Sequence, residues 1–207
     1  MSKLAPDDDA KLSRRTFLKT AGVGAAATSV VGALAESTAG ATVLGPDAVD
    51  LSLKINGAFK TVKAEPRITL LSVLRNQLDL TGAKLVCDRG GCGACTVLID
   101  GEPVVSCLML AADAVGHEIT TVEGLGSPEK LSPVQAAFVE CDALQCGFCT
   151  PGFVVTSTAL LKKNPSPSLD QIKDGLSGNL CRCGTYGRVF EAVQKAAKAQ
   201  AVLAKRG

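Results

Sequence analysis

The chain has 207 residues, enough for one ordinary domain or for two small domains that share burial between them. Hydrophobic residues make up 46% and charged residues 20%, which indicates a globular protein, and an aromatic content of 3% indicates an aliphatic core. A net charge of +2, without a block of Lys and Arg suited to a phosphate backbone, argues against a nucleic-acid partner.

Residues 1–48 are predicted to be an export signal followed by a flexible linker. Arg14 and Arg15 follow a polar start and precede the uncharged run 20–35. This order is typical of a twin-arginine signal, whereas a membrane anchor needs roughly 20 apolar residues. The twin-arginine export machinery moves folded proteins, so metal centres can be assembled in the cytoplasm first. We therefore expect a periplasmic protein that carries a cofactor.

Residues 49–123 are predicted to form a small domain, which opens with a hairpin and a helix. Apolar and polar residues alternate in 49–65 on both sides of Asn56-Gly57, a pair that favours a tight hairpin turn. Leucines at helical spacing in 69–78 predict one amphipathic helix that covers the sheet.

A second hairpin is predicted later in this domain. Segments 96–99 and 103–106 flank an Asp-Gly turn. Residues 118–122 are expected to add a strand at the edge of the sheet. The result is a small sheet crossed by a helix.

The nine cysteines form two groups, and the first cysteine set lies in this domain. Cys87, Cys92 and Cys95 share the loop CDRGGCGAC, and Cys107 follows the second hairpin. This is the C-x4-C-x2-C spacing of plant-type [2Fe–2S] proteins. The glycines allow backbone N–H groups to turn toward an anionic, partly buried cluster. Zinc is the alternative, but structural zinc sites usually use two short cysteine pairs.

Residues 124–207 are predicted to form a helical domain, because the hydrophobic period changes from two to about 3.6. Ser and Thr before proline indicate two helix starts, and the other two follow from periodicity. The four helices are expected to start at Ser132, Thr150, Ser168 and about Arg188.

The second cysteine set lies in turns of the helical domain and consists of Cys146, Cys149, Cys181 and Cys183. Cys149 directly precedes a predicted helix, whose N-terminal dipole favours a negative cluster. Disulfides are the alternative in an exported protein, although the second pair sits in one tight turn beside a matching pair. Cys141 is expected to pack in the core as a small hydrophobic residue.

Three motifs resemble one known family. They are CDRGGCGACTV at 87–97, QCGFCTPG at 145–152 and GNLCRC at 178–183, and the resemblance spans about 49–193. The chain resembles the two-cluster iron–sulfur subunit, or N-terminal region, of the xanthine dehydrogenase and aldehyde oxidoreductase group of molybdenum hydroxylases. This implies an α+β fold, in which a plant-ferredoxin-like β-grasp domain precedes a four-helix domain.

The resemblance also implies a role in electron transfer. Electrons would pass from a molybdopterin–molybdenum centre in a large partner subunit, through two [2Fe–2S] clusters, to an FAD-binding subunit or a cytochrome. Gln145 and Cys183 are expected to lie against the pterin. Many relatives have Thr-Gly-Tyr after the last cysteine, whereas this chain has Gly-Thr-Tyr, an exchange expected to spare the ligands. Aldehydes, purines and N-heterocycles all fit as substrates, with aldehydes favoured by exported relatives.

Two other functions fit parts of the sequence. A free-standing periplasmic ferredoxin would explain the first cysteine set, but a lone carrier needs only one cluster domain. A non-redox binding protein held together by disulfides or zinc would explain the cysteines alone. No catalytic residue is predicted, because His117 and Tyr186 are single examples of their types and no nucleotide-binding fingerprint is present.

The export signal gives a first prediction. Replacing both Arg14 and Arg15 with Lys is expected to leave the protein in the cytoplasm, because the signal is recognised by its paired arginines. Immunoblots of cytoplasmic and periplasmic fractions would measure this, with the wild-type chain fractionated in parallel. Normal export of the double variant would contradict the assignment of the signal.

Overall fold

The computed structural model describes residues 45–204, which belong to one compact unit. The predicted export signal lies outside the described residues. Within the described range, no helix combines the length and the apolar character that crossing a bilayer requires.

The first half contains a five-stranded sheet, in the order β2-β1-β5-β3-β4. Its strands are β1 (Val49–Ile55), β2 (Ala58–Ala64), β3 (Thr96–Ile99), β4 (Glu102–Val105) and β5 (Glu118–Thr120). β5 pairs parallel with β1 and antiparallel with β3. The predicted edge position of this strand was therefore wrong. Ile119 is fully buried because β5 fills the gap between the two hairpins.

Both predicted hairpins are confirmed. Asn56 and Gly57 have φ values of 50° and 80°, and Asp100 and Gly101 have φ values of 52° and 88°. Positive φ at both central residues is the signature of a type I′ turn, whose twist matches that of the flanking strands. The second hairpin starts its return strand at Glu102, one residue earlier than predicted.

Helix α1 (Leu70–Asn76) crosses the sheet, as predicted from its leucine spacing. Thr69 caps its N-terminus by accepting a hydrogen bond from the backbone N–H of Ser72. Four of its residues are buried against the sheet, namely Leu70, Leu71, Val73 and Leu74. Together with the inward residues of β1, β2, β3 and β5 they form the aliphatic core of this half.

The second half consists of four helices, so the α+β architecture is confirmed. They are α2 (Pro133–Glu140), α3 (Thr150–Lys163), α4 (Leu169–Gly175) and α5 (Tyr186–Ala204). Ser132 and Ser168 each form a capping box with the Gln three residues later. Thr150 was predicted to cap α3 but is its first residue. Cys149 occupies the cap position without a side-chain hydrogen bond.

The two halves pack directly on each other. Leu98 of β3 meets Val155 and Ala159 of α3 in a small buried cluster. On its other side, α3 contributes Phe153 and Val154 to a separate helical core. Helix α3 therefore connects the sheet to the remaining helices.

The helical core gives a second prediction. Phe138→Ala is expected to lower the free energy of unfolding by about 3–5 kcal/mol, because a large aromatic side chain leaves a cavity when it is removed. Phe138 is 1% exposed, whereas Phe59 on β2 is 74% exposed and supplies the matched control Phe59→Ala. Urea unfolding of the anaerobically purified proteins would compare them. Equal midpoints for the two variants would contradict this packing.

Candidate metal centres

The loop 87–95 turns its backbone toward the Cys87 sulfur. The backbone N–H of Arg89 and the Cys92 thiol lower the pKa of the Cys87 thiol to about 7. The N–H of Gly91 points at the same sulfur. Converging N–H groups form a concavity that favours an anion, so this loop stabilises a thiolate.

The other two cysteines of the first set are brought together by the second hairpin. Cys95 directly precedes β3 and Cys107 lies just beyond β4, and the pairing of Thr96 with Val105 places the two ends side by side. Burial raises the pKa of the Cys95 thiol to about 11, and the Cys107 thiol contributes to that rise. The backbone N–H of Gly90 donates to Cys107 Sγ at 3.3 Å, which ties this pair to the loop.

Three consecutive backbone groups of the loop lack a hydrogen-bond partner. Gly93, Ala94 and Cys95 are buried, yet within residues 45–204 none of their N–H groups donates to another group. A buried, unpaired N–H is rare and indicates an acceptor that the protein itself does not supply. The sulfurs of an iron–sulfur cluster are such acceptors, so this loop fits the group that the cysteine spacing predicts.

The second cysteine set also meets in pairs. Cys146 and Cys183 lie with their sulfurs 3.4 Å apart. The N–H of Phe148 and the Cys183 thiol lower the pKa of Cys146. Burial raises the pKa of Cys149 to about 12, and its thiol donates to the thiolate of Cys181. The turn before α3 therefore faces the turn before α5.

Cys181 is positioned by the start of α5. Its sulfur lies 3.1 Å from Thr185 Oγ1, and its backbone N–H donates to the Tyr186 hydroxyl at 2.8 Å. Although burial opposes it, hydrogen bonds from Thr185 lower the pKa of Cys181 to about 7. These contacts of Thr185 and Tyr186 with Cys181 were not predicted from the sequence. The exchanged Gly-Thr-Tyr order was the available signal, because it places Thr185 four residues after the cysteine.

The remaining candidate residues lie around these pairs. Gln145 is exposed and immediately precedes Cys146. Cys141 terminates α2 and packs, half-buried, against the helical core. His117 is exposed and its Nδ1 lies 2.6 Å from Asp100 Oδ2, away from both cysteine sets.

Across residues 45–204 the thiols therefore meet two by two, and no three His, Cys, Asp or Glu side chains converge on a point suited to a single ion. All nine cysteines are free thiols. Two pairs of thiols in each half match the needs of a two-iron cluster, which takes four thiolates over two metal ions.

Three family models match the chain. A 2Fe-2S iron-sulfur cluster binding domain matches residues 53–119, and a [2Fe-2S] binding domain matches residues 121–194. A twin-arginine translocation pathway signal sequence matches residues 11–35. The predicted export signal and the two [2Fe–2S] domains are therefore confirmed at the level of the family.

Curated relatives show which proteins combine these domains. The aldehyde oxidoreductase iron-sulfur-binding subunit PaoA of Escherichia coli (strain K12) is 42% identical, over 91% of this chain and 90% of that protein. The chain belongs to the iron–sulfur subunit family of the molybdenum hydroxylases. The nicotine 6-hydroxylase small subunit of Paenarthrobacter nicotinovorans is 52% identical to this chain. The match covers 71% of this chain and 88% of the Paenarthrobacter protein.

Solved structures share the fold of this iron–sulfur subunit. A chain of quinoline 2-oxidoreductase from Pseudomonas putida 86 matches with a TM-score of 0.72 and 46% identity, over 78% of the subunit and 98% of that chain. The aldehyde oxidoreductase of Desulfovibrio gigas matches with a TM-score of 0.71 and 40% identity. The match covers 77% of the subunit but 18% of that longer chain.

The pKa differences within the first cysteine set give a third prediction. In metal-free protein, iodoacetamide is expected to modify Cys87 much faster than Cys95, because thiolates react and the two pKa values are about 7 and about 11. The Cys87 rate should rise as the pH passes through 7 and then level off, while Cys95 stays unmodified at pH 8. Peptide mass spectrometry would give both rates. Equal rates would contradict the different environments of the two thiols.

Proposed function

We propose that the two cysteine sets are the complete ligand sets of two [2Fe–2S] clusters. The first set is Cys87, Cys92, Cys95 and Cys107, and the second set is Cys146, Cys149, Cys181 and Cys183. The pairwise meeting of the thiols within each half carries this proposal. We also place the domain division at 49–123 and 124–207, which the matched ranges 53–119 and 121–194 support.

We infer a direction for the relay from the resemblance to the molybdenum hydroxylases, and the surfaces beside the two cysteine sets offer room for the two partners that it implies. Each cluster takes up and releases one electron, which none of the chain's own side chains does. Next to the second set, Cys146, Cys183 and Gln145 are exposed, and Phe148 and Leu180 are more than half exposed. Exposed apolar side chains around a site mark a partner surface. We place the molybdopterin-binding subunit there, with Gln145 and Cys183 against its pterin.

The first set has an apolar surface of its own. Leu85 and Val86, each 54% exposed, immediately precede Cys87, and Leu108, 63% exposed, immediately follows Cys107. This surface suits a second partner, and we assign it to an FAD-binding subunit or a cytochrome that accepts the electrons. The twin-arginine signal supports export of the assembled protein to the periplasm.

Cluster assignment gives a fourth prediction. Cys183→Ser is expected to remove the electron paramagnetic resonance signal of the helical-half cluster and to leave the ferredoxin-like signal intact, because the ligand sets are separate. Cys141→Ser is the matched control and should retain both signals, since Cys141 packs against the helical core. Spectra of anaerobically reduced protein, with iron and sulfide analyses, would measure this.

The outcomes separate the candidate functions. Loss of both signals in Cys183→Ser would contradict the division into two sets, and loss of a signal in Cys141→Ser would contradict the ligand assignment. Purification of the native protein alone, without a molybdenum-containing subunit, would favour a free-standing carrier over a relay subunit.

A further inference from the structure

The loop of the first cysteine set is bonded to the helical half at its centre. The backbone N–H of Leu180 donates to the Cys92 carbonyl at 3.0 Å. The Asn179 side chain donates from Nδ2 to the Gly93 carbonyl, also at 3.0 Å, and Asn179 is 4% exposed. Two consecutive peptide carbonyls of the loop are therefore held by the segment that leads into Cys181.

The backbones approach closely at this junction. A Cβ on Gly93 would lie 2.5 Å from the Gly178 carbonyl oxygen, and a Cβ on Gly152 of α3 would overlap the Gly93 carbonyl oxygen. Glycine is therefore required at both positions for the Asn179 amide to reach the loop.

The junction fixes where the N–H groups of the loop point. A peptide bond is planar and trans, so its N–H is directed away from the side on which its C=O lies. Because the carbonyls of Cys92 and Gly93 face the helical half, the N–H groups of Gly93 and Ala94 face the opposite way. Both belong to the buried N–H groups of the loop that lack a partner within residues 45–204.

We propose that Asn179 is a positioning residue for the ferredoxin-like cluster, although it belongs to the helical half. The Gly93 carbonyl also accepts from the backbone N–H and the hydroxyl of Thr96, at 3.2 and 2.7 Å. Asn179 adds the bond from the helical half, and in this way it directs the Ala94 N–H toward the sulfurs of the first cysteine set. Donors to these sulfurs stabilise the reduced, more negative state and so raise the reduction potential. The inference rests on the proposed ligand sets.

Asn179→Asp tests this in the purified full-length complex. Asp has the same shape but no N–H donor, and it turns a negative charge toward the Gly93 carbonyl. The ferredoxin-like cluster should keep its iron. The g values of its signal should shift, and its midpoint potential should fall. Asn164→Asp is the matched control, because Asn164 lies at the exposed C-cap of α3, bonded to Gln171. It should change neither quantity.

When Asn179→Asp is combined with Cys183→Ser, the ferredoxin-like signal is expected to be the one that remains. Its shift can then be measured without overlap from the helical-half cluster. Asn179→Ala is the second variant and should shift the potential in the same direction. An unchanged potential and unchanged g values in the Asn179 variants would overturn the inference and leave the ligand sets standing. Wild-type protein without two [2Fe–2S] signals would remove the proposed function and, with it, this inference.

Discussion

The structure depends on holding thiols that repel one another as they ionise. Each half solves this by aiming backbone N–H groups at sulfur, through a glycine-rich loop in the first half and through two helix-start turns in the second. Such an arrangement leaves buried backbone N–H groups without a partner in the protein, and only a bound acceptor can satisfy them. The hydrophobic cores of the two halves, aliphatic in the first and with buried phenylalanines in the second, supply the rigidity that keeps these groups in place.

Local features of the fold were predictable because local chemistry determines them. The Asn-Gly and Asp-Gly turns, the leucine spacing of α1 and the two serine caps all act over a few residues. The sorting of the cysteines into two sets was predictable for the same reason, since spacing and glycine content identify the loop. These features account for most of the secondary structure and for all of the proposed ligands.

Features set by distant contacts were not predictable. The central position of β5 depends on the gap between two hairpins, which a short apolar segment does not reveal. Cys149 takes the cap position that Thr150 was expected to fill, because the turn must also present its sulfur to Cys181. The contact of Asn179 with Gly93 likewise arises only when the chain has folded.

The hydrogen bond between Asn179 and Gly93 joins residues 86 positions apart, and this separation affects how the protein is made. When translation has just passed residue 123, every cysteine of the first set has been synthesised, but Asn179 and Leu180, which donate to its loop from the helical half, have not. Contacts this remote along the chain form late, because loop closure must precede them. The junction between the first cysteine loop and the helical half can therefore form only after residue 179 has been synthesised.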